Sequence, residues 1–594
     1  FNEKHRISGY YGNDREKQTP GPNGPATLPG LYTSYNDLIQ SSDILRFSWD
    51  WAFSPTKLNH FYAGGNNWRQ DHKPPQEYIG NWKSKICIQG VPNCDENLLS
   101  LFYGTSGSNN QGYGQWGATA DNGSENTIYG YNDDFTWIHD KHSFKFGGQF
   151  QVSHYNGFGR QCEAGCLGFN FTETGVTPGL PGNGDPNSGG NAFASFLLGY
   201  VDSGSVDTVR FIGQQFPYYA GYFQDDWRVT SKLIVNLGIR WETTLPPTGL
   251  EDRWSDFSPS TINPATGTPG AVIFAGSGQG RVGSRTLADP YFNAFGPHVG
   301  FAYSLDTKTV IRGSYARSFG ALTTVSGSTH SMGFTYTDGR SNTTGGVQPS
   351  FILGQPYPAY AVPPFIDPTV ANGQNVSWFQ GQEATRPPEF NNLNLSIQRQ
   401  LNSSMVLEIG YNGVLGSHLQ SQLLNYNQVD PRYLTAFGTV EQSTVVLNSK
   451  LTPALSEQYG IPFPYATFSG TVKQALRPFP QYQTIDTYAG EGDHSGHSTY
   501  HAALVRFEKR YAHGLTFQTS YVFSKLLTDS DSYWGSGAAT DQYNRRLEKS
   551  IGQFDVTHNF KFAGVYDLPF GKGRRFLTSG PGAWILGDWR VASV

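Results

Sequence analysis

Several residue types and features are scarce in this chain of 594 residues, and each scarcity excludes a class of protein. The sequence contains 2 methionines and 4 cysteines, and its longest apolar runs fall short of the about twenty residues that a membrane-spanning helix needs. Basic residues are scattered and the net charge is −5, which excludes the basic patch of a nucleic-acid-binding protein. The GxSxG, HExxH and GxxxxGKS/T motifs are absent, so three large groups of enzymes have no local support.

Glycine and aromatic residues are abundant instead, with 71 Gly, 40 Phe, 34 Tyr and 13 Trp. Aromatic side chains favour half-buried strands over helices. The mean hydropathy of −0.46 resembles that of a soluble protein, yet strands that alternate apolar and polar residues give a low average in a membrane barrel as well. The average hydropathy therefore does not separate these two classes.

The stretch from Tyr218 to Glu242 predicts a complete antiparallel hairpin. Its second arm alternates apolar and polar residues, a pattern that is typical of a strand and incompatible with a helix. Thr230, Ser231 and Lys232 form the tight connection between the arms. Each arm extends over about ten residues, the length that a tilted strand needs to cross a bilayer, whereas strands of soluble sandwiches usually end after about six.

The same unit recurs along the chain. An opening strand is predicted within Asn2–Gly12, and the further hairpins are Ile44–Trp68, Ile128–Ser153, Gly296–Phe319, Phe390–Gly413, Tyr500–Lys525 and a last pair formed by Thr557–Leu568 and Ile585–Val594. The connections alternate between turns of about four residues and loops of about thirty to eighty-five, and an up-and-down membrane barrel keeps its long loops at one end. We therefore predict an all-β fold, a large antiparallel up-and-down transmembrane β-barrel with about fifteen strands in this chain.

The four cysteines form two close pairs, Cys87 with Cys94 and Cys162 with Cys166. Both pairs lie in Gly-, Asn- and Pro-rich stretches outside the strand pattern, which favours loop disulfides in an oxidising compartment. Free thiols are the alternative. A zinc site would need a CxxC-like spacing twice, and that spacing is missing.

Two groups of residues have the chemistry of metal ligands. His494, His497 and His501 form an HxxHxxxH run, the best metal-ligand candidate here, with solvated loop histidines as the alternative. Asp529 and Asp531 suggest a calcium loop, but the spaced acids of such a loop are incomplete. Neither group predicts a metal site firmly enough to assign one.

Two other patterns resemble catalytic or cofactor motifs. Gly278, Gly280 and Gly283 spell GxGxxG, but the residues that follow do not predict the helix of a dinucleotide site, so we expect a flexible loop and no cofactor. Asp225 and Asp226 are adjacent carboxylates. Neighbours on a strand point to opposite faces, which rules out joint acid–base catalysis.

Aromatic residues mark two further regions. Trp137, Trp227 and Trp241 lie near strand ends, where they predict interfacial belts in a membrane barrel, with plain sheet packing as the alternative. Loops rich in Tyr, Trp, Asn and Gly, such as Asn109–Gly123, suggest stacking on sugars or peptides or an unselective cover. We expect ligand specificity in four long loops: Arg69–Thr127, Pro246–Ala294, Gly320–Glu389 and Leu419–His497.

Six stretches resemble the TonB-dependent outer-membrane receptors, in particular the Oar-like group with a carboxypeptidase-regulatory-like N-terminal domain. They follow the family's order and are His139–Phe150, Tyr222–Glu242, Phe295–Gly320, Tyr411–Leu419, Val505–Lys525 and Phe554–Phe576. The segment NAFASFLLG, Asn191 to Gly199, also resembles part of this group and is predicted as a brief apolar helical turn or a plug-facing segment.

The resemblance implies a barrel of roughly 22 strands in the outer membrane of a Gram-negative bacterium, energised through the TonB complex. The family's N-terminal domain, TonB-contacting segment and plug would precede Phe1, and further strands would follow Val594. No export signal opens the chain. We therefore expect residues 1–594 to form one incomplete barrel domain.

Together these observations predict a binding and import protein rather than an enzyme. Its partners would be outer-membrane lipid, the TonB complex and a ligand that is a siderophore, oligosaccharide, peptide or exported protein, with no nucleic acid and no cofactor. Two alternatives stay open. One is a passive porin or surface adhesin on the same barrel, and the other is a secreted glycan-active β-protein with catalytic carboxylates.

Overall fold

The computed structural model describes most of the chain, and the account that follows is limited to those residues. They are 3–18, 37–73, 85–92, 94, 99–104, 115–116, 122–159, 162–175, 190–208, 210–320, 330–344, 346–379, 384–421, 425–486, 494–531 and 540–593.

Fourteen long strands and a fifteenth of four residues dominate the fold. They are β1 (His5–Gln18), β2 (Asp37–Ser54), β3 (Lys57–Lys73), β4 (Asn122–His139), β5 (His142–Gly159), β6 (Arg210–Arg228), β7 (Leu233–Thr244), β8 (Phe295–Ser304), β9 (Thr309–Phe319), β10 (Glu389–Asn402), β11 (Met405–Leu419), β12 (Gly496–Ala512), β13 (Leu515–Thr528), β14 (His558–Asp567) and β15 (Arg590–Ser593).

These strands form one sheet in which each strand pairs antiparallel with the strand before and after it in the chain. Two short strands, Thr248–Gly249 and Ser550–Ile551, extend the pairing of β6 and β13. Within the described residues, β1 and β15 have no pairing with each other. The sheet confirms the predicted up-and-down architecture with about fifteen strands.

The connections differ in length at the two ends of the sheet. Six turns of two to four residues join β2–β3, β4–β5, β6–β7, β8–β9, β10–β11 and β12–β13, and we call this end the turn side. Seven loops of 18 to 76 residues leave the opposite end, the loop side. The connection from β14 to β15 breaks the pattern, because it lies on the turn side and spans residues 568–589.

The register of β6 and β7 shows how the sequence pattern sets the two faces of the sheet. Phe223 pairs with Ile239, and Trp227 pairs with Val235, so the apolar residues of both arms share one face. This face continues into β8, where Leu237 pairs with Val299.

Apolar side chains on this face remain exposed to the surroundings. Phe223 is 47% exposed, Val299 is 48% exposed and Ile409 is 55% exposed. In a soluble sandwich the apolar faces of two sheets bury each other. Here the apolar face is the outside of the barrel, and a sheet with such an outside is suited to lipid.

Strand bounds differ from the sequence-based prediction mainly at the loop side. There β3 continues to Lys73, β4 begins at Asn122 and β5 continues to Gly159, so the first two long loops are shorter than predicted. The sequence pattern did not predict these extensions, because their polar residues interrupt the apolar alternation. The predicted last strand from Ile585 was wrong in its start: β15 begins at Arg590.

Helices are few and short. They are α1 (Ala192–Leu197), α2 (Val440–Asn448), α3 (Pro453–Tyr459), α4 (Val472–Ala475) and α5 (Pro581–Leu586), with 3₁₀ turns at Thr172–Thr174, Leu250–Asp252, Pro431–Leu434 and Arg545–Glu548. The first confirms the helical turn predicted within Asn191–Gly199. In the described part of the chain, no helix has the length and apolar character to span a membrane.

Candidate functional site

In the part of the chain that the structure describes, the loops on the loop side pack into four buried clusters, and we call the two clusters that each join three loops the first and the second core. The first core contains Leu167, Phe169 and Val201 from the β5–β6 loop, and Tyr103 from the β3–β4 loop packs against them. Phe351 joins this core from the β9–β10 loop. Three loops that are far apart in sequence therefore meet in one buried cluster.

A five-stranded sheet supports this first core. Its strands are Ser100–Tyr103, Gln115–Trp116, Cys166–Phe169, Ser203–Asp207 and Thr337–Ser341. The first and third of these strands run parallel, and the other pairs are antiparallel. Backbone hydrogen bonds therefore connect the same three loops that share the core.

Both cysteine pairs lie at this first core. The structure joins Cys87 to Cys94, with Cα atoms 5.1 Å apart, and Cys162 to Cys166, with Cα atoms 4.9 Å apart. Cys94 and Cys166 are themselves buried in the core region. Each bond closes a short loop where the chain enters packed structure.

Helix α1 also packs against the first core. The Asn191 side-chain oxygen accepts hydrogen bonds from the backbone N–H groups of Phe193 and Ala194, at 2.9 and 3.1 Å, and so caps the helix. The aromatic ring of Phe196 contacts Tyr103 at a centroid distance of 5.8 Å. Ala192, Phe193 and Phe196 of NAFASFLLG thus serve loop packing, whereas Leu197 and Leu198 are exposed.

The second core joins the β7–β8, β9–β10 and β11–β12 loops, so the β9–β10 loop contributes to both cores. Phe257, Val272 and Phe274 come from the β7–β8 loop, in the hairpin of strands Ser255–Ile262 and Pro269–Phe274. Val376 and Ile485 come from the next two loops and belong to a parallel pair of two-residue strands, Val376–Ser377 and Ile485–Asp486. We call the two cores and the loops that build them the loop cap.

Buried polar side chains fix the loop backbones in the second core. Asn427 donates from Nδ2 to the carbonyl oxygens of Phe479 and Tyr482, both at 2.9 Å. Gln481 donates from Nε2 to the carbonyl oxygens of Pro269 and Gly270, at 2.8 and 2.9 Å. Because an unpaired buried amide is costly, these contacts specify one arrangement of the loops.

One acidic pair in the cap has unusual electrostatics. Burial, followed by the neighbouring Glu173 carboxylate, raises the pKa of Asp202 to about 7. Glu173 accepts hydrogen bonds from Thr172 at 3.0 Å and from Asn342 at 2.9 Å. The pair therefore connects the β5–β6 loop to the β9–β10 loop.

Beneath the cap, the inner wall of the barrel carries a polar network. Arg240 donates from Nη2 to Gln149 Oε1 at 3.0 Å and to the Tyr218 hydroxyl at 2.9 Å, and it donates from Nε to Glu242 Oε2 at 2.8 Å. Tyr218 donates in turn to Glu242 Oε2 at 2.9 Å. The polar face of the hairpin thus lines the lumen.

A cavity of about 310 Å³ lies where this wall meets the loops. Gln149, Tyr218 and Glu242 line it from the wall, together with Phe319, the last residue of β9, and Pro387 in the β9–β10 loop. A cavity of this size accommodates a small ligand or part of a larger one.

The three candidate metal-binding histidines do not come together. His494 is buried before β12 begins, whereas His497 faces Asp529, with Nδ1 and Oδ2 3.5 Å apart. His501 lies four residues further along β12, about 13 Å from His497, and its Nδ1 bonds the Tyr411 hydroxyl at 2.6 Å. In the described ranges, no three His, Cys, Asp or Glu side chains are arranged to hold a metal ion.

The two candidate calcium ligands have separate protein partners. Asp529 accepts from the backbone N–H of His497, and Asp531 accepts from the backbone N–H of Gln553. The loop carbonyls expected beside them, in residues 532–539, lie outside the described residues.

The remaining sequence motifs have structural roles or fall partly outside the described residues. Gly278, Gly280 and Gly283 adopt left-handed backbone angles in a loop that no helix follows, so the dinucleotide interpretation fails. Asp225 bonds His142 and Asp226 bonds Asn236, on opposite faces of β6. Of the aromatic loop 109–123, only residues 115–116 and 122–123 are described.

The tryptophans predicted as belts lie at both ends of the barrel. Trp137 and Trp227 are next to turn-side ends, and Trp227 stacks on His142 with centroids 5.4 Å apart. Trp241 is near the loop side, where its Nε1 donates to the Phe292 carbonyl oxygen at 2.8 Å.

Sequence reasoning missed the loop cores and the Arg240 network. Alternation along the hairpin places Arg240 and Glu242 on the polar face, so a signal for the network was present. The loop cores have no such signal, because their residues follow no period and meet only through contacts between distant segments.

The matching protein family is described as an outer membrane beta barrel domain, and its model covers residues 1–594. No curated protein matches the chain.

Several solved structures are similar in outline. The outer membrane transporter YddB from Escherichia coli shares 9% identity at a TM-score of 0.47, with 95% of this chain and 53% of that chain covered. The ferric yersiniabactin uptake receptor FyuA from Yersinia pestis shares 8% identity at a TM-score of 0.38, with coverages of 96% and 55%. The pyoverdine outer membrane receptor FpvA from Pseudomonas aeruginosa PAO1 shares 11% identity at 0.39, with coverages of 95% and 57%. These proteins are transporters and receptors, and this chain spans about half the length of each.

Proposed function

Because the chain belongs to the outer membrane beta barrel domain family and its barrel therefore lies in the outer membrane of a Gram-negative bacterium, we propose that it is the barrel of a TonB-dependent receptor. In this proposal the loop cap captures a ligand outside the cell, and energy from the inner membrane drives its uptake. The six stretches that resemble the Oar-like group support this assignment.

The observation that carries the proposal is the position of the loop cap over a polar lumen. Loops from separate hairpins share two buried cores, so the cap presents a defined surface. A cavity lies directly below it, between Gln149 and Glu242 on the wall and Pro387 on a loop. An ordered cap above a polar cavity is suited to selective capture, whereas a plain pore needs neither.

We further propose that additional strands and a plug complete this barrel, as in the TonB-dependent family with its roughly 22 strands. A sheet edge within the hydrocarbon leaves backbone groups without hydrogen bonds, and that arrangement is costly. Strands that pair with β1 and β15 would remove this cost.

The experiment is an uptake assay in the native host. Deletion of the gene should abolish growth on one nutrient or iron source from a panel that includes ferric siderophores, oligosaccharides and peptides. The intact gene should restore growth, and a protonophore should stop uptake of the same compound. Uptake that continues with the protonophore would identify a passive porin instead, and unchanged growth together with lost surface attachment would identify an adhesin.

Two variants localise capture on the barrel. Gln151 lines the cavity, so Gln151→Ala is expected to weaken binding of the compound found in the assay about tenfold, the effect of losing a hydrogen bond and its buried partner. His60→Ala is the control, because His60 is on the inner wall but does not line this cavity. Equal binding by both variants would place capture elsewhere.

A further inference from the structure

Three tyrosine–histidine pairs occur on the outside of the barrel. In each, a tyrosine hydroxyl and a ring nitrogen on the adjacent strand form a hydrogen bond, and the rings stack at 23–25°. The pairs are Tyr129 with His154 at 3.1 Å, Tyr411 with His501 at 2.6 Å and Tyr521 with His558 at 2.7 Å.

Strand register places all three pairs on the apolar outward face. Tyr411 pairs directly with Ala503, which pairs with Phe523, and Tyr521 pairs with Phe560. In every pair the histidine is two residues nearer to the loop side than the residue that pairs directly with the tyrosine, and it thus occupies the next outward-facing position on that strand. The same arrangement therefore recurs at three separate places around the sheet.

The height of the histidines can be estimated from the strands. His154, His501 and His558 lie 12, 11 and 9 residues from the turn-side ends of β5, β12 and β14. With a rise of about 3.4 Å per residue and a tilt of about 40°, these positions are about 23–31 Å above the turn side. The apolar band of such barrels is about 25 Å tall, so the histidines lie at its outer edge.

Outward-facing ion pairs support this position of the outer edge of the apolar band. Their cations lie 8 to 10 residues from the turn-side ends of their strands. The ion pairs are Arg15 with Asp43 at 2.7 Å, Arg317 with Glu389 at 3.1 Å and Lys525 with Asp555 at 3.0 Å. Charged groups are costly in hydrocarbon, so this level is where hydrocarbon ends and headgroups begin.

Each histidine keeps one ring nitrogen for another partner. His154 uses Nε2 for the tyrosine, while His501 and His558 use Nδ1. In the part of the chain that the structure describes, the second nitrogen of each ring has no hydrogen bond. When the tyrosine donates to one nitrogen, the second carries the proton and is a donor. A donor at the headgroup level matches the acceptor oxygens of a phosphate.

We propose that the three tyrosine–histidine pairs bind phosphate groups of lipids in the external leaflet of the membrane. The tyrosine orients the ring, and the second ring nitrogen donates to a phosphate oxygen. The pairs thus fix the depth of the barrel in the membrane. This inference depends on the barrel's place in the outer membrane and is independent of the proposed uptake.

The test measures lipid selectivity by electron spin resonance. The full-length protein is reconstituted in phosphatidylcholine vesicles, and spin-labelled phosphatidic acid is compared with spin-labelled phosphatidylcholine in the motionally restricted shell. The natural sequence is expected to prefer phosphatidic acid about threefold, the effect of one modest hydrogen bond per site. The variant H154Q/H501Q/H558Q is expected to lose that preference.

Two further variants separate binding from structure. His60→Gln removes a histidine that bonds Asp50 on the inner wall, so it should retain the preference. The variant Y129F/Y411F/Y521F removes the hydroxyl groups that orient the histidine rings and leaves the histidines in place. Its preference for phosphatidic acid should fall between that of the natural sequence and that of the triple histidine variant. Heat-modifiable gel migration verifies that each variant is folded. A folded triple histidine variant with the full preference for phosphatidic acid would overturn the proposal.

Discussion

At the scale of single residues, side chains that differ by one position on a strand have opposite surroundings. Asp225 and Asp226 are adjacent in β6, yet Asp225 contacts His142 on the outside and Asp226 contacts Asn236 in the lumen. The sequence predicted this separation correctly, because strand alternation requires no knowledge of the tertiary fold. It did not predict the partners, which come from other strands.

Arg240→Gln is expected to destabilise the barrel by about 2 kcal/mol, because it removes charge-assisted bonds and leaves the Glu242 carboxylate, only 12% exposed, without its cation. Urea unfolding of the reconstituted protein, followed by tryptophan fluorescence, measures the change. The matched control is Arg312→Gln, since among the residues that the structure describes Arg312 bonds only the neutral Gln398 on the same inner wall. Equal losses in the two variants would contradict a special role for the Arg240 network.

Asp202 predicts a pH dependence of the loop cap. Burial and the neighbouring Glu173 carboxylate together raise its pKa to about 7, above the ordinary value near 3.9, so the folded cap holds the proton over a range where the unfolded loop has lost it. Stability of the cap is therefore greatest at acidic pH and falls as the pH rises through about 7. Hydrogen exchange of residues 200–207, corrected for intrinsic rates, should show less protection at pH 8 than at pH 5.

Asp202→Asn should flatten this profile, because the neutral amide does not titrate. Asp140→Asn is the control, since it removes a carboxylate from an exposed turn on the opposite side of the barrel. A slope that persists in Asp202→Asn would assign the pH dependence to another group.

At the scale of elements, the hairpins were predictable and the loops were not. A hairpin such as β6–β7 is specified locally, by alternation in two arms and a short polar turn. The loop cores bring Phe257 next to Tyr482, more than two hundred residues later, and nothing local encodes that contact. The same limit explains the wrong start of the last strand, since the apolar run at Ile585 ends helix α5 before β15 begins.

The pairing of the cysteines in the loop cap can be tested directly by peptide mapping. We expect peptide mapping of the unreduced protein to find Cys87 linked to Cys94 and Cys162 linked to Cys166. Replacing Cys162 and Cys166 by serine should destabilise the first core by about 2 kcal/mol, because the bond closes a short loop in the unfolded chain. Limited proteolysis of the cap measures this loss. A link between Cys94 and Cys162 would contradict the arrangement of the first core.

At the scale of the whole molecule, the fold depends on which side of the sheet meets lipid. The outward face carries exposed Leu, Ile, Val, Phe and Tyr side chains over all the long hairpins, whereas the inward face carries the Arg240 network. In water this distribution would be unstable, because a large exposed apolar surface drives association. In a bilayer it is the expected distribution, and the polar lumen then holds the charged side chains of the Arg240 network away from hydrocarbon.

Leu237→Arg tests this assignment of the two faces. Leu237 is 41% exposed on the outside of β7, so arginine there would enter hydrocarbon and should cost about 2–4 kcal/mol of folding free energy. Asn236→Arg is the matched control one residue away, because its side chain enters the lumen beside Asp226, where a cation is favourable. Folding of both variants into vesicles, followed by heat-modifiable gel migration over a urea series, gives the two free energies. If Asn236→Arg were the more damaging substitution, the lipid-facing and lumen-facing sides would be exchanged, and the polar cavity beneath the loop cap would lie outside the barrel.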